Sequence, residues 1–501
     1  MKVWTMLYVV MLAAGGWGAS FYVSKSGNNT TGASWAAAWN ELNQINWTNI
    51  NPGDTVKLAG GTYTTALTLS KAGTSAGRIR VMRATEAGYN GKVTLTGSMT
   101  ISQPFSASVG VLVTQPFITV DGIDKNNFEF YAPGVMYILV NVNNVSDYFE
   151  IKNAFFRNTP DGACWMRSIY VANGSLNIDH CELFRSQCQE DIISYKTGYD
   201  AASQGSKLKI QNSILRDWVS ISGSHSDMVE GGTTGAPLTD SLIFIHNLVD
   251  DGVTNGHNIC FMVYNTFKYV DMSYNVFKDV YQVLQGTYRA GRIVNNTYFR
   301  TAGEGGSGVN TFANNIFADD ATLTTADRYN WEKYSLFHNT YYDNNFSAVP
   351  DKNGNLRGDP LFLNPESLLG ADSIPFTADD GFNLQAGSAA IDKGTNVGIA
   401  ADIRGTAITG PPDIGAYEYT STAVRPWAGP DANAKYQVDE NSIFQSPVSA
   451  AFLRRNLEST RNVTVYDFAG KIIEKNSVVR PGLYLVEQRS EKIIQKIIVI
   501  Q

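Results

Sequence analysis

The sequence predicts an all-β chain: a long solenoid of stacked strands, closed at its N-terminal end by a short helix and followed by a small C-terminal β-sandwich. The first observation behind this is an untidy repeat, a short apolar strand ending in Asn, or once His, and then one or two bulky residues. It reads Ile151-Lys-Asn153-Ala-Phe155, Ile178-Asp-His180, Ile210-Gln-Asn212-Ser-Ile214, Ile245-His-Asn247-Leu248, Ser273-Tyr-Asn275-Val-Phe277, Val294-Asn-Asn296-Thr-Tyr298, Ala313-Asn-Asn315-Ile-Phe317 and Phe337-His-Asn339-Thr-Tyr341. Spacings of 19 to 35 residues suit one supersecondary unit per copy. A unit this short cannot bury an apolar face alone, so copies must stack. The second observation is composition: 43% hydrophobic and 17% charged residues describe a folded chain, and 45 Gly fit many strands joined by turns. The third is a change of pattern near the C-terminus, from this repeat to alternating strands separated by Gly turns.

Residues 1–20 read as an export signal: Lys2 begins it, Val3 to Ala14 form an apolar run, and small residues follow at 16–20. That run is shorter than a membrane span, and no later segment is long enough. The mature protein is therefore expected outside the cytoplasm, secreted or on a bacterial cell surface. A net charge of −7 argues against a nucleic-acid partner. Four Cys, at 164, 181, 188 and 260, match no zinc spacing and read as buried and inert; a Cys164–Cys188 bridge stays open.

The solenoid is expected over residues 21–420. Phe21 to Gly27 reads as a strand and turn. Ser34 to Leu42 reads as a helix capped by Ser34, with Trp35, Trp39 and Leu42 on one face, placed to cover the exposed end of the stack. Pro52-Gly-Asp-Thr-Val and Gly60-Gly-Thr-Tyr63 begin the first turns. This opening, with Gly77-Arg-Ile79, resembles the start of secreted right-handed parallel β-helix proteins of the pectate-lyase-like superfamily. The series Gly358-Asp-Pro-Leu-Phe362, Phe382 to Ser388, Ala390-Ile-Asp392 and Asp413 to Tyr419 resembles their C-terminal end. The resemblance implies the fold and leaves function open, because lyases, hydrolases and non-catalytic surface proteins share it. Asp413 and Glu418 read as parts of a closing structural turn, and the repeated Asn residues as a hydrogen-bonded stack at a bend.

Residues 421–446 read as linker and 447–501 as the β-sandwich. Within it, Val465-Tyr-Asp467, Gly470-Lys471, Pro481-Gly-Leu-Tyr-Leu-Val486 and the Lys-Ile-Ile-Val ending resemble a type IX secretion sorting domain, which implies the secretion machinery as a partner. The Asn-Pro stretch that opens such domains has no clear counterpart.

The longest repeats lie between Asn153 and Asn247, and loops on a rigid scaffold are where sites are built. Aligned by pattern, Asp191, Asp227, Asn258 and Gln282 fall in one column. Stacked carboxylates about 4.8 Å apart must share either a proton or a cation. Glu190, Asp191, Asp227 and Asn258 offer oxygen ligands for Ca²⁺, and His225, His257 and Glu230 lie within a few positions. Glu190 to Thr197 resembles the acidic, Ile-Ser, Lys segment of family 6 polysaccharide lyases, with Leu215-Arg216 in the place of a catalytic Leu-Arg pair. It departs from that family at Gln189 and Asp217. The resemblance implies Asp191 as calcium ligand, Lys196 as base and Arg216 as stabiliser of the enolate-like charge in a β-elimination on a uronate polysaccharide. Two readings stand beside it: a glycoside hydrolase using Asp191 and Asp227 with Glu230, and a non-catalytic glycan-binding adhesin.

Overall fold

The computed structural model describes residues 18–102, 107–132, 138–142, 145–158, 167–171, 174–184, 191–195, 207–217, 227–231, 239–250, 259–301, 311–318, 334–338, 353–421, 463–467, 472–473, 482–488 and 493–499. Residues 1–17 of the expected export signal, most of the linker, and Cys164 and Cys188 lie outside them. The chain divides into two compact units, Met1–Trp427 and Ala428–Gln501.

The first unit is the right-handed parallel β-helix expected. One rung runs through Ile118–Asp121, Phe128–Ala132 and Ile138–Val142; the next runs through Val145–Lys152, Phe155–Asn158 and Arg167–Val171. Each strand pairs in parallel with its equivalent one rung away, which makes three long faces. On the first face Val81, Val120, Ile151, Ile178, Ile210, Phe244, Met272 and Ile293 stand in register, all fully buried. On the second face the bulky residues of the repeat form a ladder of rings. Phe277, Tyr298, Phe317 and Phe337 stack at centroid distances of 5.3, 4.9 and 5.2 Å. Rings held parallel at rung spacing exclude water along the axis and favour one register over its neighbours.

The bend between the first and second faces explains the Asn repeat, and splits it into two columns. Asn153, His180, Asn212, His246, Tyr274, Asn295 and Asn314 take positive φ, between 50° and 59°. The residues that follow, from Ser213 through Asn247, Asn275, Asn296 and Asn315, form the hydrogen-bonded stack. The N–H groups of Asn247, Asn275 and Asn296 donate to Oδ1 of the Asn on the next rung at 2.9 to 3.0 Å. Each Nδ2 also closes onto a backbone carbonyl: Asn247 on Ile210, Asn275 on Phe244, Asn296 on Met272. Ser335 and Asn355 continue the series. The last repeat unit is therefore shifted: Phe337 pairs with Phe317, which aligns Ser335, not Asn339, with Asn315. Asn339 lies outside the described residues.

The N-terminal helix is not formed. Trp39 makes a parallel bridge with Val23, its N–H donating to the Tyr22 carbonyl and its carbonyl accepting from Ser24. Two short 3-10 turns, Leu42–Gln44 and Trp47–Asn49, follow. The segment covers the stack end by extending its pairing pattern and burying Trp39, while Trp35 stacks on Tyr89 at 3.9 Å. Pairing with an otherwise open strand edge outweighs one turn of local helix.

At the other end, Asp413 accepts from the N–H of Asp392 and Tyr419, and Glu418 Oε1 accepts from the Asp413 N–H at 3.1 Å. The Tyr417 hydroxyl donates to buried Asp380 at 2.8 Å. These carboxyls tie a closing turn together, as their sequence context suggested. Among the described residues no helix is long and apolar enough to cross a membrane.

The second unit, among the described residues, is one antiparallel sheet of four strands: Ile472–Ile473, Val463–Asp467, Gly482–Gln488 and Ile493–Val499, in that spatial order. Two facing sheets, as a sandwich requires, are not seen among those residues.

Candidate functional site

The third face carries the acidic column. Ile169, Ile193, Val229, Phe261 and Leu284 stand in register there, all buried. Counting back two residues places Asp191 level with Asp227. The same count on the next rung reaches Ile259, which pairs with Gln282. The expected column is thus corrected at its third member: the register is offset by one, and a one-residue slip in a strand reverses the side-chain direction. Asn258 itself lies outside the described residues, as do Glu190, Lys196, His225 and His257.

Asp191 and Asp227 are 4% and 0% exposed. Asp191 Oδ1 accepts from the Asp227 N–H at 3.2 Å, and its Oδ2 accepts from the Ser194 hydroxyl at 2.9 Å. Ser194 and Glu230 face each other across adjacent strands, so Glu230 stands beside the same carboxyl. Burial, followed by a hydrogen bond from Glu230 and the charges of Glu230 and Asp227, holds the Asp191 carboxyl well above the usual carboxylate range. That shift favours the protonated form of Asp191, with Glu230 as its hydrogen-bond partner. Glu230, half-buried, is the member nearer solvent. Rung length makes room here: the bend residues Cys181 and Ser213 are 32 apart and Ser213 and Asn247 are 34 apart, whereas from Asn275 onward bends recur every 19 to 21 residues.

Arg216 belongs elsewhere. It ends a strand of the second face, paired with Phe184 and Asp250, and its Nε and Nη2 donate to Glu182 Oε1 at 2.8 and 2.6 Å. Lys125 bonds the other oxygen of Glu182, and the Arg216 guanidinium lies over the Phe184 ring. Farther along, Lys278 bonds Asp250 and Asp279, and Arg300 clamps Asp279 and Glu366. Arg216 is one rung of a charge ladder on the outside of the stack. The structure does not bring it to Asp191, because its strand, Ile214–Arg216, belongs to the second face and its guanidinium is bound to Glu182.

As for calcium, among the described residues no group of three or more His, Cys, Asp or Glu side chains is arranged to hold a metal. Of the four expected ligands, only Asp191 and Asp227 are described.

Sequence reading missed Ser194 as the partner of Asp191, although its place three residues on in a rung strand was visible. It also missed Asn141, a polar residue inside Ile-Leu-Val-Asn-Val, which heads the same column: Asn141 pairs with Tyr170, Tyr170 with Ser194, and Ser194 with Glu230.

No protein-family model matches the sequence, and no curated protein does. Among solved structures, the chain is similar to pectate lyase Pel9A, with 16% identity and a TM-score of 0.43 over 80% of this chain and 96% of that one. It is also similar to XylC in complex with xylose, at 10% identity and a TM-score of 0.41 over 79% and 98%. A third is a mannuronic acid specific family 6 polysaccharide lyase from human gut microbiota, at 14% identity and a TM-score of 0.28 over 62% and 86%. The parallel β-helix stands on this chain's own strand register.

Proposed function

We propose that the protein is a carbohydrate-active enzyme that cleaves an extracellular polysaccharide on the third face, by hydrolysis, with Glu230, Asp191 and Asp227 as its acid–base groups. The observation that carries this is the carboxyl cluster: buried Asp191 stands one rung from Asp227 and Glu230, and burial beside those carboxyls raises its proton affinity, the direction a general acid needs. Glu230, nearest solvent, meets the glycosidic oxygen and protonates the leaving group. Asp191, hydrogen-bonded beneath it and oriented by Ser194, is the proton reservoir. Asp227 supplies negative charge that favours the oxocarbenium-like transition state, and water then adds to the anomeric carbon and returns its proton to the Asp191–Glu230 pair.

The elimination expected from the sequence, with Lys196 as base and calcium neutralising a uronate, is less well supported. Arg216 is spent on Glu182, and the negative charge that remains on the carboxyl cluster repels a uronate. One experiment separates the readings. Purified protein is offered neutral and acidic polysaccharides while reducing ends and the ultraviolet absorbance of unsaturated uronates are both followed. Reducing ends without absorbance are expected. Absorbance rising with the reducing ends restores elimination, and neither signal on a broad panel favours a glycan-binding adhesin.

A further inference from the structure

The long strands Ile259–Ser273 and Gln282–Val294 run from the third face onto the first. Where they reach the first face they carry a band of positive charge. Lys207, Ser241, Tyr269 and Ala290 stand in register there on successive rungs. One residue earlier on the last three of those strands are Asp240, Lys268 and Arg289. Lys268 and Arg289 are exposed, Tyr269 is 39% exposed, and Lys207 and Lys209 are half-buried. Asp240 lies 3.8 Å from the Lys207 Nζ and 3.7 Å from that of Lys268, so two cations share one carboxylate. The nearby Asp271 is already clamped by Arg292. Lys207, Lys209, Lys268 and Arg289 thus set four positive charges against Asp240, on a chain whose net charge is −7. Ion pairs this long and this wet contribute little, and an arriving anion relieves the repulsion among the cations.

We infer that this band is a glycan-holding surface, separate from the acidic cluster of the third face, and that its ligand is an acidic polysaccharide lying along the stack axis. Rungs recur about every 4.8 Å, close to the length of one unit in an extended pyranose chain. Successive sugars therefore meet Lys207, then Lys268 and Tyr269, then Arg289. Carboxylate or sulfate groups pair with the cations, and the exposed Tyr269 ring offers an amphipathic surface to the C–H face of a sugar. Duplex DNA suits the band less well. Its phosphates follow one another about every 1.7 Å of helix axis, a charge density that a chain of net −7 opposes, and its stacked bases are closed to Tyr269. No bond is made or broken at the band. It tethers polymer to the stack and raises the concentration of chain ends and linkages beside the third face. The inference stands on the charge pattern of the first face and is independent of the chemistry proposed for Glu230.

The test measures retention of the full chain by polygalacturonate, chondroitin sulfate, dextran and duplex DNA in affinity electrophoresis at low and physiological salt. Glu230→Gln protein is used, so that no polymer is cut. Binding to polygalacturonate, chondroitin sulfate or both is expected, weakening with salt, and none to dextran; the two acidic polymers separate carboxylate from sulfate recognition. Lys268→Gln with Arg289→Gln should weaken that binding about tenfold or more, and Tyr269→Ala about fivefold. These side chains are exposed, so the melting temperature should stay the same. No retention by either acidic polysaccharide at low salt overturns the inference, as does retention that ignores Lys268→Gln with Arg289→Gln. DNA held as tightly as the glycans, with Tyr269→Ala affecting neither, overturns it in favour of an unspecific polyanion surface. With Glu230 restored, the Lys268→Gln, Arg289→Gln protein should turn over short soluble oligosaccharides at the parent rate. A matching loss of turnover would merge the band with the reacting face and remove the separate site.

Discussion

The backbone N–H of Asp227 donates to the carboxylate of Asp191, one rung away, at 3.2 Å. That contact joins the two acidic rungs, and although it favours the charged form, burial and the neighbouring Glu230 and Asp227 together hold the Asp191 carboxyl above the usual carboxylate range.

Glu230→Gln is expected to lower turnover on the responsive polysaccharide by about a hundredfold or more, with folding unaltered by circular dichroism. Asp191→Asn mimics a side chain already protonated, so it should keep or raise the melting temperature while lowering activity. Loss of folding in Asp191→Asn would show that the carboxyl is ionised and structural.

Arg216→Met should act on stability alone. It leaves Glu182, buried on the second face, with only Lys125 as cationic partner, at a cost of about 1–3 kcal/mol. Activity per folded molecule should be unchanged in a titrated kinetic assay. An inactive, stable variant would return Arg216 to the chemistry.

Calcium removal offers an independent check. With Asp191 held toward its protonated form, activity should survive EDTA and calcium should not shift the melting curve. Activity that disappears with EDTA and returns with calcium would reinstate a cation at the acidic column.

The C-terminal closure predicts a pH dependence. Burial pushes Asp380 and Glu418 up to about 7. The folded state then binds more protons than the unfolded state between their ordinary range near 4 and 7, so their contribution is fully present below that window and is lost as pH rises through it. Asp380→Asn should flatten this slope by of order 2 kcal/mol, read from denaturant unfolding at several pH values. The depressed carboxyls, Glu182 and Asp279 among them, contribute the opposite slope at lower pH. A stability that climbs from pH 5 to 7 in the parent protein would contradict the assignment.

Within the bend, Asn275→Ala removes the acceptor of the Asn247 N–H and the donor to the Phe244 carbonyl, so about 2–4 kcal/mol should be lost. Tyr274→Phe, one residue earlier, deletes a buried hydroxyl that has no partner and should be neutral or stabilising. Melting temperatures of the two variants moving the same way would argue against the two-column bend.

The repeat was legible because stacking imposes a period: the Asn ladder and the ring ladder write themselves into the chain every rung. The acidic rungs were legible as well, since Asp191 and Asp227 are charged residues beside apolar strands. Register was not. Placing Asn258 in their column and Arg216 beside them both turned on offsets of one residue or one face, and hydrophobic runs of three or four residues tolerate such offsets. The N-terminal helix misled for a related reason. Ser34 to Leu42 has local helical periodicity, but an open strand edge lay within reach of Trp39.

By itself, the sequence determined the parallel stack, its Asn bends and the region where rungs lengthen, because each follows from which residues must be buried at every turn. Only the tertiary structure decided that Asp191, Ser194, Asp227 and Glu230 meet on the third face while Arg216 is bound to Glu182 on the second. Strand pairing between rungs some 30 residues apart sets that, and local residue preference carries no information about which face a distant rung will share.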